Sequence, residues 1–260
     1  MEPLVFNTYS RDGIKIHYSE ATDNKDYMAK AHEFLVQLMT EFARLSRLSY
    51  RPRLRADYFP YIYTERRLDS AVLPALSYIC DGVVLTELPV ERQGSLEDDT
   101  VHHGRVDYWC IYKGYTFVIE MKGTQAIFKG NKVSTREHSV KGRWRKMIEQ
   151  LKNVEDDCKY NLLENTKGII RLGIHFITSV ADIEPDWDDI AEYRETIDDR
   201  MERMRRDIAK RFNYKLDYTP NFAAAWLIPD DMISSNPNAT YPGVMLFAKV
   251  FEDLPHENDE

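Results

Sequence analysis

Two apolar segments separated by two residues constrain this chain more than any other feature. They are Arg105-Val106-Asp107-Tyr108-Trp109-Cys110-Ile111-Tyr112 and Tyr115-Thr116-Phe117-Val118-Ile119-Glu120-Met121-Lys122, with Lys113-Gly114 between them. Both are rich in β-branched and aromatic residues, which fit a pleated, half-buried surface. A two-residue link ending in Gly predicts a hairpin turn. In that register Tyr112 faces Tyr115, Asp107 falls opposite Glu120, and Arg105 falls opposite Lys122. Side chains alternate faces along a strand. One face then carries Val106, Tyr108, Cys110 and Tyr112 with Tyr115, Phe117, Ile119 and Met121, and belongs in a core. The other carries Trp109, Ile111, Thr116 and Val118 near the turn, and gathers Arg105, Asp107, Glu120 and Lys122 at its open end.

Carboxylates directly opposite one another have Cβ atoms roughly 4.5–5.5 Å apart, and like charges so placed are destabilising. A divalent cation held by both would offset the repulsion. So would Lys122 and Arg105, which would make the group a surface patch of compensating charges. The residues alone leave both readings open.

Gly104-Arg105-Val106-Asp107-Tyr108-Trp109 followed by Val118-Ile119-Glu120-Met121-Lys122 resembles the PD-(D/E)XK nuclease superfamily, the restriction-endonuclease-like fold. Here Val106-Asp107 stands where a literal Pro-Asp would be. The resemblance covers about residues 26–180. It implies a catalytic set of Asp107, Glu120 and Lys122. Asp107, Glu120 and the backbone carbonyl of Met121 would ligate a metal ion, and Lys122 would orient and polarise the attacking water. Hard oxygen ligands, with no Cys or His at metal spacing, suit Mg²⁺ (or Mn²⁺). In the resembled fold a first-helix Glu sometimes completes the metal site, which makes Glu33 and Glu41 candidates; a solvated helix face is the alternative for each. Some relatives of that fold carry a helix Gln followed four residues later by Tyr. Gln150 is followed by Val154 instead, so a surface Gln is expected.

The 260-residue chain carries a net charge of −8, which argues against a protein that coats nucleic acid without specificity. The distribution matters more than the sum. Lys129, Lys132, Arg136, Lys141, Arg143, Arg145 and Lys146 follow the second segment with Glu137 as their only acid. Such patches make phosphate contacts, and the first six are the expected nucleic-acid contacts. Arg44, Arg47, Arg51, Arg53 and Arg55 form a second cluster, read equally well as a solvated surface. No apolar stretch approaches the ~20 residues that span a membrane, and the N-terminus lacks the pattern of a signal peptide. Cys80, Cys110 and Cys158 form no metal or redox motif, so a reducing cytoplasm is expected. His102 and His103 are adjacent, without a third ligand at zinc spacing.

Along the chain, weak strands flank a turn at Asp12-Gly13. A helix is expected over 27–48, with Met28, Ala31, Leu35, Leu38, Phe42 and Leu45 as its apolar stripe. Irregular chain is expected over 51–71, since Pro52 and Pro60 argue against a central strand. A strand over 83–90, a loop over 94–104, the hairpin, a loop over 124–138, a helix over 140–154 and a strand over 168–180 follow, with His175 a strand residue rather than a ligand. A charged helix over 184–212 has a narrow apolar stripe that can dock on the sheet or form a homo-oligomer seam. Strands over 222–228 and 244–251 and an acidic, disordered tail over 252–260 close the chain.

The expectation is one domain over 1–260: α/β, a mixed central β-sheet flanked by helices, with an αβββαβ core and a C-terminal elaboration over about 181–251. The expected function is metal-dependent hydrolysis of phosphodiester bonds, in DNA rather than RNA. The alternative is a catalytically inactive binding or assembly protein on the same fold.

Overall fold

The computed structural model describes residues 6–11, 14–19, 25–49, 60–61, 65–92, 102–129, 132–135, 137–152, 154, 166–181, 199, 202–203, 205–206, 212, 218–229, 235–236 and 239–253. The elements in order are β1 (Phe6–Arg11), β2 (Ile14–Ser19), α1 (Asp26–Ser49), α2 (Glu65–Ile79), β3 (Leu85–Arg92), β4 (His102–Tyr112), β5 (Tyr115–Lys129), β6 (Lys132–Thr135) and α3 (Glu137–Lys152). They continue with β7 (Ile169–Ala181), β8 (Phe222–Leu227), β9 (Ser235–Asn236), β10 (Ala239–Thr240) and β11 (Gly243–Asp253). Eight strands run in the order β1-β2-β8-β11-β7-β5-β4-β3, with β6, β9 and β10 attached beside them. The sheet is mixed: β5 and β7 pair in parallel, while β4 pairs antiparallel with β5 and β11 with β7. A parallel pair needs a long crossover, and α3 lies within the one that joins β5 to β7.

Helices cover both faces of the sheet. On one face α1 buries Ala31, Phe34, Leu35, Leu38 and Phe42. Its Phe34 ring stacks on Phe117 with centroids 4.3 Å apart, and Phe42 meets Phe176 at 4.9 Å. On the other face α3 turns Val140, Trp144, Met147, Ile148 and Leu151 inward. Gly173 is what lets α3 approach: a Cβ there would stand 2.8 Å from Met147 Cε and 3.0 Å from Leu151 Cδ1. Trp144 stacks on Phe212 at 4.5 Å and on His175 at 6.2 Å.

Several sequence expectations are corrected. The last seven residues of the stretch expected to be irregular open helix α2, which runs on to Ile79 with Leu68, Ala71, Val72, Ala75 and Leu76 buried at spacings of three and four. The prolines upstream argued against a strand but said nothing about a helix further on. Pro74 sits inside α2 on its exposed side and forfeits one helical hydrogen bond. The loop expected after Lys122 is in large part strand. Gly123 does not end β5, which stays in parallel register with β7 as far as Phe128↔Ala181 and pairs with β6. Helix α3 starts at Glu137, ahead of the expected Ser139 cap. Strand β11 reaches Asp253, so the first residues assigned to a disordered tail belong to the sheet. Within the span 184–212, Asp199, Glu202, Arg203, Arg205, Arg206 and Phe212 are helical; the rest of that helix, the turn at Asp12-Gly13 and the tail beyond Asp253 lie outside the described residues. Among the described residues no helix is long and apolar enough to cross a membrane.

Candidate functional site

The hairpin forms in the expected register from the turn as far as Tyr108↔Ile119; the expected pairs Asp107 with Glu120 and Arg105 with Lys122 lie beyond the paired stretch. Strands β4 and β5 pair from Tyr112↔Tyr115 through Cys110↔Phe117 to Tyr108↔Ile119. Lys113 and Gly114 take φ values of 50° and 82°, the left-handed pair that a tight two-residue turn requires. Asp81 steadies the turn by accepting from the Lys113 N–H at 2.5 Å.

Strict alternation breaks one residue beyond Tyr108. Val106, expected on the main apolar face, packs instead in a smaller cluster with Val90, Trp109, Val118 and Val154. On the neighbouring strand Glu87 adopts φ 55°, between the pairs Thr86↔Tyr108 and Leu88↔Val106. Between the same pairs on β4 lies Asp107, whose carboxylate reaches across to β5. Its Oδ2 accepts from the Met121 N–H at 2.6 Å, so a side chain does the work of a ladder carbonyl. Arg105, expected beside Lys122, pairs with Glu87 at 3.7 Å on the other neighbour strand and is mostly exposed.

The two acids and the lysine do come together. Lys122 Nζ lies 3.0 Å from Glu120 Oε1, donates to the Met121 carbonyl at 2.8 Å, and stands 3.7 Å from Asp107 Oδ2. Water reaches them unequally: side-chain exposure is 2% for Glu120, 13% for Lys122 and 28% for Asp107. The ammonium therefore sits among the three oxygen donors that the family resemblance names as metal ligands. Among the described residues no three His, Cys, Asp or Glu side chains form a metal-sized group. The third oxygen here is a backbone carbonyl. Two carboxylates and a carbonyl, all hard oxygens, suit an ion that binds one or two protein carboxylates and keeps several waters.

Opposite Lys122 on β7 lies His175, fully buried, its Nε2 2.8 Å from Thr124 Oγ1 and its Nδ1 without a partner. Burial, together with the charges of Arg143 and Lys122, pushes its pKa down to about 3. It is a neutral strand residue at physiological pH. Of the six expected nucleic-acid contacts, Arg143 is drawn to β5, where its Nη1 donates to the Gly123 carbonyl at 2.9 Å. Lys141 and Arg145 are exposed on α3, with Arg145 3.5 Å from Glu149. Lys129 and Lys132 pair across the β5–β6 hairpin; their side chains and all of Arg136 lie outside the described residues.

Gln150 is not the surface residue expected. It is half-buried, and its Oε1 is buried without a hydrogen-bond partner. Gln150 follows Arg143 and Met147 by seven and three residues, which puts the three on one helical stripe. Met147 touches Gly173, and Gly173 pairs with Glu120. That spacing was the available signal.

Glu33 and Glu41 belong elsewhere. Phe117, on which α1 packs, is three residues from Glu120 along β5 and so faces the opposite side of the sheet. Glu33 bonds to Lys113 at the turn end of the hairpin, six residues or ~20 Å along the strand from Asp107. Glu41 is buried rather than solvated and accepts from Arg44 Nε at 2.6 Å. Comparison of the chain with protein-family models, with curated proteins and with solved structures finds no match.

Proposed function

We propose that this chain is a Mg²⁺- or Mn²⁺-dependent nuclease with a restriction-endonuclease-like core. The observation that carries the reading is the convergence of Asp107, Glu120 and the Met121 carbonyl on one cationic centre. The succession α1, α2, β3-β4-β5, β6, α3, β7, with β7 parallel to β5, contains that core order with α2 and β6 added, and supports it. A bound divalent ion would act as a Lewis acid on the phosphate and lower the pKa of a bound water. Asp107, Glu120 and the Met121 carbonyl would hold that ion, with Asp107 oriented by the Met121 N–H. Lys122 places positive charge beside the phosphorus, where the transition state gains negative charge. Water adds to phosphorus, the bond to the leaving ester oxygen breaks, and that oxygen takes up a proton. Arg143, which reaches β5, guides the phosphate backbone toward it, and Lys141 and Arg145 stand exposed on the opposite flank of α3. The preference for DNA over RNA rests on the family resemblance.

The competing reading is a catalytically inert binding or assembly protein, and one observation favours it: Lys122 already pairs with both carboxylates, at 3.0 Å from Glu120 and 3.7 Å from Asp107, and offsets one of their two charges. Purified protein with Mg²⁺ or Mn²⁺ is expected to nick closed circular plasmid. Glu120→Ala is expected to lower the rate about a hundred- to a thousandfold, the scale of losing a main electrostatic contributor. Full activity in folded Glu120→Ala or Lys122→Ala would reject the assignment. Calorimetry with Mg²⁺ is expected to show binding that Asp107→Asn weakens; no Mg²⁺ binding to the parent would favour the inert reading.

A further inference from the structure

A cleft of about 600 Å³ opens on the other side of the sheet, where α1 meets the end of α2 and the β1–β2 hairpin. Tyr9, Tyr18 and Tyr78 contribute to its walls, and Glu33, Gln37 and Glu41 form a row along α1. It lies away from Asp107, Glu120 and Lys122, and the proposed chemistry makes no use of it. Its acids sit at i and i+8 with the amide at i+4. Eight helical residues rise ~12 Å, so the two acids stand about that far apart along the helix with Gln37 between them, its Nε2 donating to Glu33 Oε1 at 3.5 Å.

The protein's own side chains show what this lining accepts. The Arg44 guanidinium caps Glu41 at 2.6 Å and lies over the Tyr78 ring, 5.2 Å from its centroid. That is a carboxylate and an aromatic face sharing one cation. At the other end Lys113 bonds to Glu33, with Lys30 at 3.8 Å. Partial burial would raise the Glu33 carboxyl, but Lys113 and Lys30 outweigh it and hold the group below its ordinary value. None of the three cations lines the cleft. The Glu33–Lys113 pair is open to water, at 36% and 45% exposure, and an exposed pair of this kind exchanges readily for another cation.

We propose that this cleft binds a linear aliphatic polyamine. One ammonium pairs with Glu33 in place of Lys113, another with Glu41 beside Arg44, and the methylene chain lies against the tyrosines with Gln37 facing its middle. Two acids spaced in this way select for length, which a compact inorganic cation does not match. The aromatic walls favour an aliphatic chain over a hydrated metal ion.

The test is calorimetric titration of the full chain with spermidine at constant ionic strength. Saturable binding at one site is expected. It should weaken at least tenfold in Glu33→Gln combined with Glu41→Gln, and stay unchanged in Glu149→Gln, which removes an acid elsewhere. Because Glu41 is buried, Glu33→Gln and Tyr78→Ala are tested singly as well, and each is expected to weaken binding severalfold. Putrescine, which is too short to reach both acids, is expected to bind more weakly. Absence of binding to the parent, equal affinity in the folded variants, or equal displacement by Mg²⁺ at matched ionic strength would each overturn the proposal. Tighter binding of an arginine-rich peptide than of spermidine would overturn it in favour of a protein partner. None of these outcomes depends on nuclease activity.

Discussion

At the turn end of the β4–β5 hairpin, Lys113 bonds to Glu33 in water, with 45% and 36% of the two side chains exposed. At the open end, Lys122 bonds to Glu120, with 13% and 2% exposed. The residue types are the same, and both lysines belong to one hairpin. Their surroundings set them apart. Exposed pairs contribute about 0–1 kcal/mol, because solvent screens them and two long side chains must be held still. Breaking a buried pair costs about 3–5 kcal/mol, mostly through the charge left behind. The turn end can exchange its cation at little cost. The open end cannot lose a cation unless another takes its place, and such a centre suits a metal ion held beside a lysine.

The largest expected effect tests this directly. Lys122→Ala leaves Glu120 buried and uncompensated, and is expected to lower stability by about 3–5 kcal/mol in chelator, read by denaturant unfolding. Added Mg²⁺ is expected to restore more stability to this variant than it adds to the parent. Equal Mg²⁺ effects in the two proteins would break the contrast.

His175, opposite Lys122 on β7, gives the next effect. Its folded pKa of about 3 lies below the ~6.5 of an unfolded histidine. Above pH 6.5 neither state binds the proton. As pH falls below 6.5 the unfolded chain takes it up and the folded chain does not, so stability drops. The expected loss is roughly 2 kcal/mol between pH 6.5 and 5, from one proton at about 1.4 kcal/mol per unit. The pH slope of His175→Gln should lack this contribution; an unchanged slope would contradict neutral burial.

Gly173→Ala puts a methyl 2.8 Å from Met147 Cε. The thioether tip can move, so about 1 kcal/mol is expected, at the low end of overpacking. The proposed nuclease activity should fall with it, since Gly173 pairs with Glu120. Smallest of all, Glu33→Gln is expected to cost no more than about 1 kcal/mol at pH 7. Because the Glu33 carboxyl is held below its ordinary value, that contribution is present above pH 4.5 and fades as pH falls. A loss as large as that in Lys122→Ala would erase the distinction between the two ends.

The hairpin was legible because its pattern is local. Lys113-Gly114 allows only a tight turn, and one turn fixes the register of every pair up to Tyr108↔Ile119. Helix α1 and strands β7, β8 and β11 were legible for the same reason: each carries its own period. Helix α2 has a period too, at Leu68, Ala71, Val72, Ala75 and Leu76, but Pro52 and Pro60 drew attention from it. The continuation of β5 was not legible. Thr124 and Gln125 give little strand signal, and it is the parallel partner β7 that keeps them in the sheet.

By itself the sequence determined that Asp107, Glu120 and Lys122 would stand at one end of a hairpin, because side-chain alternation and turn length are properties of neighbouring residues. Only the tertiary structure decided how they meet. Asp107 accepts from the Met121 N–H, Val106 joins the smaller cluster, Glu120 is buried beside Gly173 of β7, and Arg105 stays outside with Glu87. It also decided that Glu33 and Glu41 face a different cleft. Burial and long-range pairing depend on elements far apart in the chain, and no local spacing records which of them will arrive.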